Sequence, residues 1–301
     1  MREWKRDLTL IKVTALLLFV LSFITGGCGD GDSQSPFAQT AVGEDLIAYD
    51  NAGNEYRIMP REHKILRLDS DGSILWEAGG LGTDEGELNY PIGILTDADD
   101  NLYVIDHGNS RIVVFDNNGT YLRQIGSHGT GDEHLSFMRD AVISEDGLVY
   151  ISDTINDRIQ VFDLEGNPIQ RFGEFGIEGQ AIDHPESLAI DPNGFIHVAD
   201  SGNAEIQVYT RDGISIRSYG SYGSEPELGE FHNPDAIEID YKGYVYVADS
   251  TSEFVTVFDL QGRALTRFHP YLPDGTLGHP VNLTWKPDGT LYITVIPAEG
   301  S

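Results

Sequence analysis

The chain has 301 residues, 40% of them hydrophobic, a balance able to bury a sizeable core and unlike that of a disordered polymer. Its 19 basic side chains face 49 acidic ones, a formal net charge of −30 that repels phosphate backbones and excludes nucleic acid as a partner. Cys28 is its only cysteine, which excludes a disulfide framework within the chain.

In chain order, Arg2, Lys5, Arg6 and Lys12 lead into the apolar run VTALLLFVLSFIT, from Val13 to Thr25. Spanning a bilayer takes about 20 residues, whereas the apolar part of a secretory signal takes about 7–15. The run fits the second. With Gly26, Gly27 and Cys28 behind it, ITGGC resembles the lipobox of bacterial lipoprotein signals, Thr25 standing where Leu, Val or Ile is usual. That resemblance implies a signal peptide over 1–27, lipid attached to Cys28, and membrane attachment through it. In resembling lipoproteins an Asp after the cysteine favours the inner membrane. Gly29 stands here, so the outer membrane, facing the periplasm, is expected. Residues 28–36 read as the lipidated cysteine and a polar, flexible tether, and 37–301 as the folded domain.

That domain repeats itself. A turn residue recurs at Gly53, Asp100, Gly147, Gly194, Gly243 and Gly289, spaced 47, 47, 47, 49 and 46 apart. A second turn recurs at Gly72, Gly119, Gly166, Gly213 and Gly262, and an anchor at Pro91, Met138, Pro185, Pro234 and Pro280. Between turns the residues alternate and are rich in β-branched and aromatic types, with no helical periodicity after the leader. Each unit therefore reads as four short strands, and a four-stranded repeat of about 40–50 residues is the signature of a propeller blade. The spacing predicts an all-β, six-bladed β-propeller of four-stranded antiparallel blades. Its last blade is begun by NLTWK and TLYITV and left incomplete at the C-terminus, so PFAQTAV (Pro36 to Val42) is expected to close the ring as an outer strand and hide an open edge.

The units NPDAIEIDYKGYVYVADS and VIDHGNSRIVVFDNNGTYLRQIG resemble the NHL repeat, over about residues 44–296. Asp106 with Arg111, and Asp153 with Arg158, recur at the end of one strand and the start of the next. Such pairs read as scaffolding that ties a hairpin and abuts a neighbouring blade. Asp200 faces Glu205 and Asp249 faces Phe254, so the pair is absent from blades four and five.

Chemistry is sought where symmetry breaks. The position after each anchor carries Ile92, Arg139, Glu186, Asp235 and Val281, with Asp140 and Asn282 one step further. Arg139, Asp140, Glu186, Asp235 and Asn282 are thus the candidate ligand-binding residues at the channel mouth. Glu186, Asp235 and Asn282 offer the oxygen ligands that Ca²⁺ takes, as in propeller hydrolases of the lactonase type. His128, His134, His184, His232 and His279 fall in the connections into each inner strand. In NHL-type peptide-amidating lyases zinc is held by histidines directly after the anchor. His184 and His279 stand directly before it, which argues against that activity and against Zn. No G-x-S-x-G, H-E-x-x-H, P-loop or C-x-x-C is present.

Tyr90, Phe137, Phe175, Tyr222 and Phe231 in the connections are able to anchor a partner, though blade-to-blade packing is expected for most. The reading that results is a monomeric, lipid-tethered propeller that needs no cofactor and binds a protein, peptide or glycan of the cell envelope. The alternative is a metal-dependent lactonase-type hydrolase or lyase with Ca or Zn at the mouth.

Overall fold

The computed structural model describes residues 38–42, 46–50, 53–69, 71–173, 181–272 and 275–297, of which 38–42 as backbone alone. The chain divides into Met1–Ser33 and Gln34–Ser301; everything below concerns the second unit. The leader, Cys28 and the tether lie outside the described residues.

Five sheets have four antiparallel strands each, running in chain order from the axis outward. Blade one comprises Leu46–Tyr49, Glu55–Met59, Lys64–Leu68 and Ile74–Gly79. Blade two comprises Pro91–Thr96, Leu102–Asp106, Arg111–Phe115 and Tyr121–Ile125, and blade three Ala141–Ile143, Leu148–Asp153, Arg158–Asp163 and Pro168–Phe172. Blade four comprises Pro185–Ile190, Ile196–Asp200, Glu205–Tyr209 and Ser215–Tyr219, and blade five Pro234–Ile239, Val245–Asp249, Phe254–Phe258 and Ala264–Phe268. Blade six differs from expectation. It has three strands among the described residues, Gly278–Trp285, Leu291–Pro297 and Ala38–Val42. The N-terminal strand does complete it, but in parallel, with Ala38 opposite Leu291 and Val42 opposite Val295. The chain must next enter blade one at the axis, which sets its direction.

The inner strands contact one another in sequence, and that of blade six touches that of blade one, so the ring closes. The core lies between blades. Tyr56 and Ile58 of blade one pack with Val104 and Phe115 of blade two in one cluster; Ala248 and Val255 of blade five pack with Leu283 and Ile293 of blade six in another. The second periodic glycine has its reason here. A Cβ at Gly213 would come within 2.6 Å of Phe172 in the preceding blade, and one at Gly262 within 2.6 Å of Tyr219. Both have positive φ, which glycine alone adopts freely.

In blades two to five the aspartate ending the second strand is buried, and it binds the connection leading into its own blade. The N–H of Asn89 donates to Asp106 at 2.6 Å, that of Ser136 to Asp153 at 2.6 Å, that of Asp183 to Asp200 at 2.9 Å and that of His232 to Asp249 at 2.6 Å. Arg111 and Arg158 pair with their aspartates at 2.9 and 2.7 Å and reach connector carbonyls, among them Glu87 and Gly131. Where the arginine is missing, other donors serve: Gln207 Nε2 bonds Asp200 at 2.6 Å, and Ser252 Oγ bonds Asp249 at 3.0 Å.

Removing one member of a buried ion pair strands the other. Asp153→Ala should therefore lose about 3–5 kcal/mol in urea unfolding, whereas Arg263→Ala, whose pair with Asp259 is largely exposed, should lose under about 1 kcal/mol.

Candidate functional site: the channel mouth and its rim

In blades two, four and five the anchor begins the inner strand, and in blade six Pro280 lies third in it; in all four the residue after the anchor drops out of the ladder. In blade three, by contrast, Met138 precedes the strand Ala141–Ile143. The register shifts between Pro91 and Gly93, Pro185 and Ser187, Pro234 and Ala236, and Pro280 and Asn282. These bulges re-aim Ile92, Glu186, Asp235 and Val281. The mouth thus has an apolar arc from blades two and six and a polar arc from blades three to five.

On the polar arc, Arg139 Nε pairs with Glu186 Oε2 at 2.6 Å. Asp140 accepts from Ser187 Oγ at 2.6 Å and from the Leu188 N–H at 3.0 Å, while Ser187 Oγ accepts from the Ile237 N–H at 3.2 Å. One run of bonds so joins blades three, four and five. Asp235 accepts from Asn233 Nδ2 at 2.6 Å and the Ser250 N–H at 2.7 Å. Enclosure pushes the carboxyls of Asp140 and Asp235 up to about 6, and the charge of Glu186 adds to the shift of both. Asn282 turns to Thr284 Oγ1 in its own strand at 3.3 Å. Of the five predicted residues, Arg139 and Glu186 meet directly, Asp140 and Asp235 are braced by neighbouring backbone and side chains, and Asn282 serves its strand.

The residue before the anchor forms the rim. Tyr90, Phe137 and His184 adopt φ of 55°, 48° and 51°, a left-handed conformation uncommon outside glycine. Each is held from the preceding blade: its N–H donates to His63 Nδ1 at 3.0 Å, Ser110 Oγ at 3.1 Å and Asp157 Oδ1 at 3.0 Å, respectively. The result is an aromatic file. Tyr90 lies 6.4 Å from the ring of His107, His107 5.5 Å from Phe137, and Phe137 6.3 Å from His128. His107 Nδ1, 2.8 Å from the Met138 carbonyl, carries the proton that fixes its plane.

Among the connector aromatics, Phe231 is buried, as packing requires, whereas Tyr90, Phe137 and Tyr222 are 44%, 47% and 60% exposed, against the expectation of packing for most; Phe175 lies outside the described residues. Beside the file, His184 Nδ1 stands 2.6 Å from Asp183 and 3.6 Å from Asp157, and the Asp183 hydrogen bond raises its pKa. The ligand atoms of these three lie within 4.8 Å of one another, a spacing able to hold a divalent cation. His279 instead bonds the Ser250 carbonyl through Nδ1, at 2.7 Å.

Glu238, four places after its anchor, escaped the search of the first two positions. Leu95, Val142, Ala189 and Thr284 stand there in blades two, three, four and six, so the signal was a single acid in an otherwise uncharged column. Burial and then the charge of Asp140 push its carboxyl up to about 8.

The architecture is that of a β-propeller, with five four-stranded sheets and a closing three-stranded one. Two family models match parts of the ring: residues 80–172 match that of a 6-bladed beta-propeller and residues 183–209 that of the NHL repeat. No curated protein matches the chain. Among solved structures, virginiamycin B lyase from Staphylococcus aureus is 14% identical with a TM-score of 0.62, covering 82% of this chain and 76% of that one. A gluconolactonase from Xanthomonas campestris is 20% identical with a TM-score of 0.62, covering 83% of this chain and 82% of that one. A chain of a nidogen/laminin complex is 19% identical with a TM-score of 0.59, covering 83% of each. These identities establish a shared fold.

Glu238 has a folded pKa above its unfolded value, so the proton it keeps stabilises the fold fully below the unfolded pKa, and that contribution is lost as pH rises towards 8. Glu238→Gln should match the parent chain in urea unfolding near about pH 4 and resist more urea near about pH 9.

Proposed function

We propose that the chain is an extracytoplasmic propeller, tethered to the outer membrane through lipid on Cys28, whose rim captures a protein or peptide of the cell envelope. The observation that carries this reading is the file Tyr90–His107–Phe137–His128. Tyr90 and Phe137, half in water on a backbone bent left-handed and braced from the neighbouring blade, make with the two imidazoles a partly apolar surface on an acidic body. Exposed aromatic anchors are what interfaces concentrate. The polar mouth supports the same reading, because Arg139, Glu186, Asp140 and Asp235 already bond one another or the scaffold. A glycan is the other ligand that stacks on such rings, and it is an outcome of the test below.

A second reading, a metal-dependent hydrolase or lyase, draws on the triad Asp157–Asp183–His184. Propellers of this fold include a lyase and a gluconolactonase. Adding Ca²⁺ or Zn²⁺ to the purified protein and titrating the metal separates the two: one ion per chain, lost in Asp183→Asn, favours the enzyme.

For the capture reading, the double variant Tyr90→Ser, Phe137→Ser should lose at least about tenfold in affinity for the partner taken from envelope extracts. Ile169→Ser, exposed on an outer strand, should keep it. Protease treatment of the extract abolishes capture of a protein, whereas glycosidase treatment abolishes capture of a glycan; equal capture by all variants overturns the rim. Cys28→Ser should move the protein from the membrane fraction to the soluble one, and retention in membranes refutes the lipid tether.

A further inference from the structure

Away from the anchors, the later residues of the inner strands line an open pocket of about 290 Å³. Its wall is aliphatic: Leu95 from blade two, Val142 from three, Leu188 and Ala189 from four, and Ile239 from five. Glu238 is the only ionisable side chain of that wall among the described residues. Glu238 is part-buried in this pocket, and its carboxyl takes the N–H of Ile239, with no side-chain donor among the described residues. Asp140 is near enough for its charge to act on Glu238, and its own oxygens are engaged by Ala141, Ser187 and Leu188. A carboxylate in apolar surroundings is costly unless a counter-charge meets it. Here the protein supplies none.

We propose that this chamber binds a small amphipathic organic cation, its apolar body against the aliphatic wall and its ammonium on the Glu238 carboxylate. Small-molecule sites have this make-up, a mostly apolar wall with few polar groups that fix orientation, and a volume near the lower end of their range suits one short chain or one ring. Two acids within a low-dielectric channel, in a chain of net charge −30, concentrate a cation and repel an anion. The site is separate from the rim and independent of the capture reading.

Proton balance gives the proposal its signature. The empty site holds Glu238 largely protonated at neutral pH, so an arriving ammonium displaces that proton to solvent and leaves an ion pair. Asp140 from blade three is the charge that acts on Glu238, and Tyr246 stands opposite Glu238 in the strand register with its ring on Trp285; blades two and four present Leu95, Thr96, Leu188, Ala189 and Ile190, which do not titrate. Affinity therefore rises with pH up to about 8.

The test is isothermal calorimetry on the purified full-length protein with benzylammonium, against benzyl alcohol and benzoate of the same size. One benzylammonium is expected per chain, with affinity rising about tenfold from pH 6 to 7 and with proton release that scales with the buffer's ionisation heat. Glu238→Gln should weaken binding at least about tenfold and flatten the pH profile, as loss of about 1.4 kcal/mol per decade requires. Ala189→Leu, which fills the chamber and leaves the carboxyl intact, should weaken it too; if either variant fails to fold, the other and the three-probe comparison on the parent chain still decide. Equal binding of benzyl alcohol, unchanged binding in Glu238→Gln, displacement of benzylammonium by equimolar Ca²⁺, or no binding at millimolar probe overturns the proposal.

Discussion

The structure rests on a hydrogen bond made in blades two to five, between a buried aspartate at the end of the second strand and the backbone of the connection above it. Asp106, Asp153, Asp200 and Asp249 are each 0–2% exposed, so their acceptors are shared between the connector and side chains of their own blade rather than water. A connector held there reaches its anchor at a fixed height, and the residue before the anchor is turned left-handed in three blades. The bulge that follows is then placed at the axis. Rim and mouth are successive consequences of this one bond in blades two to five.

Hydrophobic burial supplies a different part of the design. The clusters lie between sheets, so each blade is stable only with neighbours on both sides, as expected of a repeat that cannot bury its face alone. The glycines at the outer hairpins of blades two, four and five let adjacent blades approach, since a side chain at Gly119, Gly213 or Gly262 would strike the aromatic residue behind it. Periodicity in sequence thus records two separate needs, backbone conformation and interblade distance.

The fold was legible because period, turn chemistry and strand alternation all repeat, and the Asp–Arg pairs could be assigned from their recurrence. Symmetry was also the reason for what was missed. Gln207 and Ser252 take the role of the arginine from other positions, Gln207 two residues beyond Glu205, which no repeat alignment pairs with Asp200. The exposure of Tyr90 and Phe137 follows from positive φ, and nothing in their residue type announces it. Mouth residues were found because polar groups are conspicuous directly after the anchors. Glu238 is not legible in the same way because it stands near the far end of its strand, four places after the anchor. The parallel sense of the closing strand has no sequence signature at all, since it depends on the path the chain takes next.

That closing strand also decides how the ring answers to load. Ala38–Val42 runs beside Leu291–Pro297 in the same direction, so the segments leading away from the ring depart from opposite ends of the paired strands. Tension between them drives one strand to slide along the other, stressing every backbone bond of the pair together; an antiparallel partner would let them peel one by one. The seam of the ring is accordingly in shear geometry, and its mechanical strength exceeds what five residue pairs in an unzipping arrangement would bear.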